Sequence, residues 1–362
     1  MDFLVKRDDL HQTRIEENGE APELSDGQAL LEVDRFGLTA NNITYGVMGD
    51  AMSYWKFFPT GEDGWGHVPM WGFARVADAN GTGIPDGARV YGYLPPSSHV
   101  VVQPDDSGPR GFVDRSPHRA ELPSAYQGYR RTAADPAYAP DREDEQVIFW
   151  PLFYTSWLID DFLADQGMFG AESIVIGSAS SKTAVIAAYM LAKREDSEVR
   201  LTGLTSQGNR EFVEGLGVYD ATVTYDEIGG IDRDRSVYVD MSGDGEIRRQ
   251  VHELFGDSLA HSCVVGASHW DRMASGRNGD LQGPKPEFFF APNRVKKRGS
   301  DWGAGGLDER VTADWHPFVE WAAGWLRVKR GEGPEALRET YLEVLDGKVP
   351  PAEGNVICLP AE

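Results

Sequence analysis

The stretch SIVIGSASSKTAVIAAYMLAKR, residues 173–194, decides the fold of this chain. It opens with a short apolar run that predicts a buried strand, passes through a turn of small residues, and ends in an apolar run of helical length. A strand, tight turn and helix in this order bring backbone N–H groups and the positive end of a helix to the turn, where a pyrophosphate can bind. Such turns are also common in α/β proteins without a ligand there, so the turn alone leaves both interpretations open.

The residues that follow alternate between strand and helix patterns. Strand patterns occur at 199–206, 221–227, 236–243, 260–268 and 287–293, and helix patterns at 209–217 and 244–256. This alternation is typical of a doubly wound parallel sheet and favours the ligand-binding interpretation of the turn. We therefore predict an α/β protein with a Rossmann cofactor domain over residues 151–300.

The remaining sequence predicts a second domain, because 362 residues exceed what one hydrophobic core usually supports. Residues 1–150 begin with short alternating patterns separated by turns, which predict a β-rich lobe. Within them, 105–144 is polar and aperiodic, and we predict a long loop or insertion with short helices. Residues 301–362 predict C-terminal helices and a closing strand that returns to the first lobe.

Composition excludes several classes of protein. The formal charge of -23 would repel a nucleic-acid backbone, and we predict no nucleic-acid partner. The two cysteines lie far apart in apolar runs, which rules out a disulfide framework or a cysteine-rich metal site. No apolar run reaches the roughly eighteen residues of a membrane span, so we predict a cytoplasmic protein without a membrane contact.

The end of the second predicted strand bears on the choice of cofactor. An NAD enzyme normally places an acid there to bind the ribose hydroxyls, whereas residues 204–210 read LTSQGNR. The hydroxyls of Thr205 and Ser206 and the guanidinium of Arg210 suit a 2′-phosphate, with Lys182 as a second phosphate partner. The cofactor predicted is NADP(H). The alternative is that Arg210 merely occupies a solvated helix start.

Several strings resemble the medium-chain dehydrogenase/reductase superfamily in its quinone-oxidoreductase and enoyl-reductase branch. They are DGARVYGY at 86–93, TSQGNREFVEGLGVYDATVTYDE at 205–227, YVDMSG at 238–243 and VVGAS at 264–268. The resemblance covers most of the chain except 105–144, and the whole chain is similar to an uncharacterised bacterial family assigned to this superfamily. It implies a GroES-like β-barrel catalytic domain around the inserted cofactor domain, with hydride transfer in the cleft.

The resemblance also implies which residues contact the cofactor. The turn would hold the pyrophosphate with Gly177, Ser178, Ala179, Ser180, Ser181, Lys182 and Thr183. Ser206 and Arg210 would bind the adenosine 2′-phosphate. The residues expected to approach the ribose and nicotinamide are Ser242, Gly243, Gly266, Ala267, Ser268, Phe290 and Ala291.

The sequence departs from the zinc enzymes of this superfamily. Those enzymes carry a cysteine near Asn41 and Asn42 and a Gly-His-Glu string near positions 71–73, where this chain has Trp71, Gly72 and Phe73. The four-cysteine structural zinc loop is also missing. We therefore predict no metal site and a zinc-independent enzyme.

A metal-free reductase needs a donor for the developing enolate oxygen. The candidates are the phenols of Tyr45 and Tyr154, and Asn42 is a candidate for orienting the substrate or the nicotinamide ribose. Packed aromatics with satisfied hydroxyls are the alternative for both tyrosines. His67 and His269 are further candidates, although a lone histidine is more often structural.

The function predicted is NADPH-dependent reduction of an activated double bond in an α,β-unsaturated carbonyl or quinone, with a small-molecule substrate. Two alternatives stay open, a nucleotide-binding or redox-sensing protein without turnover and a CoA- or acyl-processing enzyme without net redox. The resemblance also suggests a homodimer paired through the strand near 287–291.

Overall fold

The computed structural model describes residues 1–17, 22–265, 281–303 and 305–359. In chain order the strands are β1 (Asp2–Lys6), β2 (Asp9–Glu16), β3 (Ala29–Leu38), β4 (Trp65–Gly66), β5 (Met70–Asp78), β6 (Arg89–Leu94), β7 (His99–Val102), β8 (Pro104–Gly108), β9 (Gly111–Asp114), β10 (Gly128–Arg131), β11 (Ser173–Ile176), β12 (Arg200–Thr205), β13 (Ala221–Thr224), β14 (Ser236–Asp240), β15 (Leu259–Val264), β16 (Glu287–Phe288), β17 (Arg327–Glu332) and β18 (Glu353–Cys358). The helices are α1 (Ala40–Val47), α2 (Glu143–Asp165), α3 (Lys182–Ala192), α4 (Arg210–Gly215), α5 (Gly245–Phe255), α6 (Ala291–Trp302), α7 (Gly306–Ala322) and α8 (Gly333–Leu345).

The chain divides into two compact units. Unit 1 consists of Met1–Pro151 and Leu326–Glu362, and unit 2 consists of Leu152–Trp325. The first boundary falls inside α2. The predicted C-terminal segment began at 301, whereas the structure assigns α7 to unit 2, because Trp315 packs on Phe153 at 5.2 Å and Trp321 packs on Tyr189 at 4.7 Å between ring centroids.

Unit 1 is built on a nine-stranded sheet in the order β17-β18-β3-β5-β6-β10-β9-β8, with β7 paired to β3, and on a smaller sheet β2-β1-β4. All pairs in the large sheet are antiparallel except β17 with β18. Segment 105–144, predicted as a loop or insertion, instead supplies most of β8, all of β9 and all of β10, together with short 3-10 turns. These strands extend the sheet beyond β6, since β10 pairs with β6.

Unit 2 contains a six-stranded sheet in the order β13-β12-β11-β14-β15-β16, with every pair parallel. Taken in chain order within the unit this is 3-2-1-4-5-6, the Rossmann arrangement, whose strand order reverses between β11 and β14. Apolar cores cover both faces, one around Ile174 and Ile176 and the other around Val175 and Tyr238. The predicted α/β class and its parallel sheet are confirmed.

Residues Pro140–Asp165, which include α2, are long and apolar enough to cross a membrane by length and composition. Of the most apolar window, 72% is buried inside the protein, as in the core helix of a globular domain.

Candidate nucleotide site and candidate substrate site

The turn between β11 and α3 is hydrogen-bonded to both neighbouring strands. Gly177 N–H donates to the Val239 carbonyl at 2.9 Å, and Ala179 N–H donates to the Leu204 carbonyl at 2.8 Å. The turn therefore lies at the carboxyl ends of β12, β11 and β14, at the reversal point of the sheet, where doubly wound proteins bind ligands. Ser178 has a φ of 52°, a left-handed conformation that non-glycine residues seldom adopt.

Gly177 is required by packing within unit 2. A Cβ atom at this position would lie 2.8 Å from the hydroxyl oxygen of Tyr238, closer than a real Cβ contact. Tyr238 is fully buried on β14. The structure thus gives the turn's one glycine a role that does not depend on a ligand.

Helix α3 begins at Lys182 with Ser181 as its N-cap, whose side chain accepts from Ala184 N–H at 3.4 Å. The first-turn N–H groups of a helix lack intrahelical acceptors, and the helix dipole makes its N-terminus favourable for an anion. Ser180 Oγ accepts from Asn209 Nδ2 at 3.0 Å, which ties this turn to the segment after β12. The residues predicted to hold the pyrophosphate therefore lie together in one contiguous turn at a helix N-terminus.

Thr205 is the last residue of β12, Ser206 follows it, and Arg210 is the first residue of α4. Thr205 is 1% exposed, and its hydroxyl has no hydrogen-bond partner within the described residues, so it is an orphaned polar atom beside the turn. Ser206 is exposed. Arg210 donates to Glu214 Oε1 at 3.0 Å and to Glu227 Oε2 at 2.9 Å, and the hydrogen bond to Glu214, followed by the charge of Glu227, raises the pKa of Arg210.

Tyr225, which the sequence interpretation did not select, also reaches the turn. It follows β13 directly, and its hydroxyl hydrogen-bonds to Ser178. Burial raises the pKa of Tyr225 to about 12. Its place after the third strand of the unit was the signal available in the sequence.

At the end of β14 the buried carboxylate of Asp240 organises the next turn. Its Oδ1 accepts from Ser242 N–H at 3.0 Å, from Ser242 Oγ at 2.7 Å and from Gly243 N–H at 3.0 Å. Its Oδ2 accepts from Arg248 Nε at 2.9 Å. Ser242 is fully buried and its hydroxyl donates to Asp240, so the structure assigns that hydroxyl to the turn itself.

The other predicted nicotinamide contacts need one correction. We expected Phe290 and Ala291 at the end of a strand, but β16 ends at Phe288, Phe290 is the N-cap of α6, and Ala291 is its first residue. Pro292 suits the first turn of a helix because its missing N–H needs no acceptor there. Gly266, Ala267 and Ser268 lie outside the described residues, as does His269.

In unit 1 the candidate donor Tyr45 lies on α1 and is 5% exposed. Its hydroxyl oxygen accepts two hydrogen bonds, from Asn41 Nδ2 at 2.7 Å and from Trp71 Nε1 at 3.0 Å. No described residue accepts the Tyr45 hydroxyl proton. Burial, and then the nearby Tyr54, raises the pKa of Tyr45 well above its ordinary value. Tyr45 is therefore a neutral O–H donor held in place by two neighbours.

Asn42, predicted to orient a ligand, has a structural place instead. Its Oδ1 accepts from Thr39 N–H at 2.8 Å and its Nδ2 donates to the Pro69 carbonyl at 3.0 Å. These contacts use both ends of the amide in fixing the start of α1. The neighbouring Asn41 is the asparagine that contacts Tyr45, one helical turn away.

The rings around Tyr45 form a continuous aromatic cluster. Tyr54 packs on it at 4.8 Å and Tyr93 at 5.3 Å between ring centroids. Hereafter the aromatic cluster is Tyr45, Tyr54, Phe57, Phe58, Trp71, Tyr93 and Tyr126.

The remaining candidates lie elsewhere. Tyr154 is half-buried on α2 in unit 2. His67 is buried, and its Nδ1 is 3.0 Å from the Phe58 carbonyl oxygen, while its Nε2 is 3.4 Å from Ser97 Oγ. These contacts give His67 a structural role. Within the described ranges, no group of three or more His, Cys, Asp or Glu side chains is placed to hold a metal ion.

Solved structures share this fold. CurA from Vibrio vulnificus in complex with NADPH is 14% identical, with 96% of this chain and 94% of that chain covered and a TM-score of 0.61. Haloferax mediterranei glucose dehydrogenase in complex with NADP, Zn and gluconolactone is 12% identical, with coverage of 100% and 99% and a TM-score of 0.56. The yhdH oxidoreductase from Salmonella enterica in complex with NADP is 12% identical, with coverage of 99% for both chains and a TM-score of 0.56.

These likenesses confirm the predicted fold, a GroES-like domain with a Rossmann domain. Comparison with curated proteins by sequence finds no match. A family model described as "Protein of unknown function (DUF2855)" matches residues 36–350, which is most of the chain, and the protein therefore belongs to this family.

Proposed function

We propose that the protein is an NADP(H)-dependent reductase that adds hydride to a double bond activated by a carbonyl group, in an α,β-unsaturated carbonyl compound or a quinone. The observation that carries this proposal is the hydrogen bonding of Tyr45. Asn41 and Trp71 both donate to its oxygen, which leaves its own proton for a ligand oxygen. A preorganised donor of this kind is what the carbonyl oxygen needs as negative charge develops on it.

NADP(H) fits the residues of unit 2. The turn from Gly177 to Thr183 offers backbone N–H groups and a helix N-terminus to a pyrophosphate. Thr205, with its orphaned hydroxyl, ends β12, and Arg210 begins α4 shortly after it. Residues 204–210 contain no acid to bind free ribose hydroxyls. When bound, the cofactor would supply the hydride. CurA and the yhdH oxidoreductase, which share the fold, are solved in complex with NADPH and NADP.

The part played by this chain in the reaction is electrostatic. A new C–H bond forms at the β-carbon, the π electrons move to the carbonyl oxygen, and Tyr45 donates a hydrogen bond to that oxygen. A proton from solvent then reaches the α-carbon and completes the reduction. Because burial raises the pKa of Tyr45, the phenol keeps its proton and acts as a donor throughout. The proposed reaction uses no metal ion.

The test is NADPH oxidation, followed by its absorbance, with a panel of enones and quinones. Tyr45→Phe should lower kcat about 100-fold, in the range for loss of one oxyanion donor, and leave the Kd for NADPH unchanged. Tyr341→Phe is the matched control, since that phenol donates to the Leu10 carbonyl at 3.1 Å within the same unit and apart from the aromatic cluster. Equal losses in the two variants, or wild-type protein that neither binds nor oxidises NADPH, would refute the proposal.

We also propose a homodimer paired through β16. This strand is the edge of the parallel sheet, and an edge strand presents unpaired N–H and C=O groups. Phe288 on β16 is 64% exposed. An edge strand with an exposed aromatic suits pairing with a second copy of the same strand.

A further inference from the structure

Tyr93 carries a polar atom that the fold leaves unsatisfied. It lies on β6 opposite Trp71 of β5, is 0% exposed, and its hydroxyl has no hydrogen-bond partner in the part of the chain that the structure describes. Buried tyrosine hydroxyls usually find a partner, because an unpaired one loses its bonds to water without replacement. Groups that cost stability in this way are often retained for function.

The ring of Tyr93 packs against the ring of the candidate donor, Tyr45. The rings of Tyr126, Trp71 and Tyr45 lie 4.9, 5.1 and 5.3 Å from the Tyr93 ring between centroids. Burial raises the pKa of Tyr93, and the neighbouring Tyr45, Tyr126 and Tyr54 raise it further. These phenol groups are therefore close enough to affect one another's ionisation.

Tyr126 reaches this place through the segment that follows β9. Asp114 and Arg119 form a buried ion pair with 3.1 Å between Oδ2 and Nη1, and Arg119 Nε donates to the Phe57 carbonyl at 3.2 Å. The segment thereby brings the Tyr126 hydroxyl to 3.2 Å from the Tyr54 hydroxyl. The ion pair and the contact to Phe57 both lie in the segment that carries Tyr126.

The hydroxyl protons of these phenols that have no acceptor determine which ligand atoms the phenols can bind. The Tyr54–Tyr126 pair has two hydroxyl protons and uses one between its own oxygens. One proton of that pair and the proton of Tyr93 therefore remain as donors, in addition to the proton of Tyr45. The other rings of the aromatic cluster offer no strong acceptor for them.

We propose that the Tyr93 hydroxyl, with the Tyr54–Tyr126 pair, forms a second hydrogen-bonding subsite that takes a second acceptor oxygen of the substrate. The inference rests on the proposed function, in which Tyr45 takes the first oxygen. It selects compact compounds with two carbonyl oxygens over those with one. Opening of the Tyr54–Tyr126 pair would expose the subsite.

Equilibrium binding to the 362-residue protein without added NADPH tests the subsite. Titrations of 1,4-cyclohexanedione and cyclohexanone are followed by ligand-observed NMR. We expect wild-type protein to bind the diketone at least tenfold more tightly, and Tyr93→Phe to abolish this preference. Tyr91→Phe should retain it, because Tyr91 is an equally buried, unpartnered phenol on the same strand that stacks on Trp71 at 5.9 Å.

Equal binding of the two ketones, no binding of either, or a preference that survives Tyr93→Phe would overturn the subsite. A preference for the diketone in a protein that never oxidises NADPH would instead refute only the reductase.

Thermal unfolding tests independently whether the Tyr93 hydroxyl lacks a hydrogen-bond partner in the folded protein. Tyr93→Phe should raise Tm, because it removes an unsatisfied polar atom and keeps the ring. Tyr129→Phe should lower Tm, because that hydroxyl donates to the Tyr93 carbonyl at 2.9 Å. A lower Tm for Tyr93→Phe would show that its hydroxyl is satisfied in the fold, and the inference would fail.

Discussion

Trp71 Nε1 donates a 3.0 Å hydrogen bond to the hydroxyl oxygen of Tyr45, from β5 to α1 across 26 residues of sequence. Together with Asn41 Nδ2 it occupies the acceptor side of the phenol, so the direction of the Tyr45 proton is decided by its two neighbours. Asn41 and Trp71 stand near the positions at which the sequence departs from the zinc enzymes, and here both supply a donor to one tyrosine.

Trp71→Phe should lower kcat/KM about fivefold, since loss of one hydrogen bond of roughly 1 kcal/mol frees the Tyr45 hydroxyl to reorient. In a Tyr45→Phe background the same change should have no further effect, because residues that act through one another are not additive. Steady-state kinetics of the two single variants and the double variant check this. Additive losses would show that Trp71 acts independently of Tyr45.

Cofactor preference should depend on Arg210 and the carboxylate that holds it. Arg210→Ala should raise the Kd for NADPH about tenfold and leave that for NADH unchanged, through loss of a charge-assisted contact to phosphate. Glu227→Gln should have the opposite effect on NADPH, because it removes a charge that now pairs with Arg210 at 2.9 Å. Thermal-shift titrations with both cofactors measure these changes. Equal effects on NADPH and NADH would contradict the assignment.

The pH dependence should reflect the raised pKa of Tyr45. A phenol whose pKa is raised stays protonated through the range near pH 10 in which an ordinary tyrosine ionises. The ratio of kcat/KM between wild type and Tyr45→Phe should therefore stay constant from about pH 7 to pH 10. A ratio that falls with a midpoint near the ordinary pKa would show that Tyr45 ionises there and is not held as a neutral donor.

The stability of unit 2 should depend on Arg294. This residue is 6% exposed and donates to Asp161 at 2.6 Å and to Asp165 at 2.8 Å, joining α6 to α2. Arg294→Met should lower the free energy of unfolding by about 3 kcal/mol, because it breaks a buried ion pair. We expect the lower end of the usual range, since Arg298 still contacts Asp161 in the variant. Chemical denaturation measures the loss.

Lys297→Met is the control for this prediction. Lys297 lies on the same helix with a side chain that is 46% exposed, and exposed ion pairs contribute little. We expect a change of less than about 1 kcal/mol. Equal losses in the two variants would mean that the burial of Arg294 carries no particular energy.

The proposed dimer should depend on the exposed edge of β16. Phe288→Asp should shift the protein to monomer in light scattering after size-exclusion chromatography, because charges on an edge strand oppose pairing. Phe288→Tyr should keep the dimer, since it retains the ring. A wild-type monomer, or a dimer unaffected by the charge, would refute the proposed interface.

Local patterns predicted the parallel sheet of unit 2 well. Strands and helices from 173 to 264 carry apolar patterns of their own, and the resulting sheet is parallel, as predicted. Local sequence patterns did not predict strands that form only by pairing with distant parts of the chain. Strands β9 and β10 are four residues long, and their extended conformation depends on contact with each other and with β6. The end of β16 was misplaced although Pro292 signalled a helix start.

The candidate site likewise combines residues that the sequence predicted with residues that only long-range pairing brings together. Tyr45 came from a resemblance, and Asn41 follows from helical spacing once α1 is known. Trp71 as its second donor, and Tyr126 as a neighbour from a segment outside the resemblance, depend on strands that pair at long range. Arg210 was predicted as a phosphate ligand from its position, but its present partners Glu214 and Glu227 were not.

By itself the sequence determined the succession of strand, turn and helix, the small residues of the turn at 177–183 and the absence of an acid at 204–210. These features depend on neighbours along the chain. Only the tertiary structure decided that Gly177 must be a glycine to clear Tyr238, that the Tyr45 proton is available, and that the Tyr93 hydroxyl has no partner. Each of these depends on atoms from distant parts of the chain, because a hydrogen bond or a steric contact extends only a few ångströms.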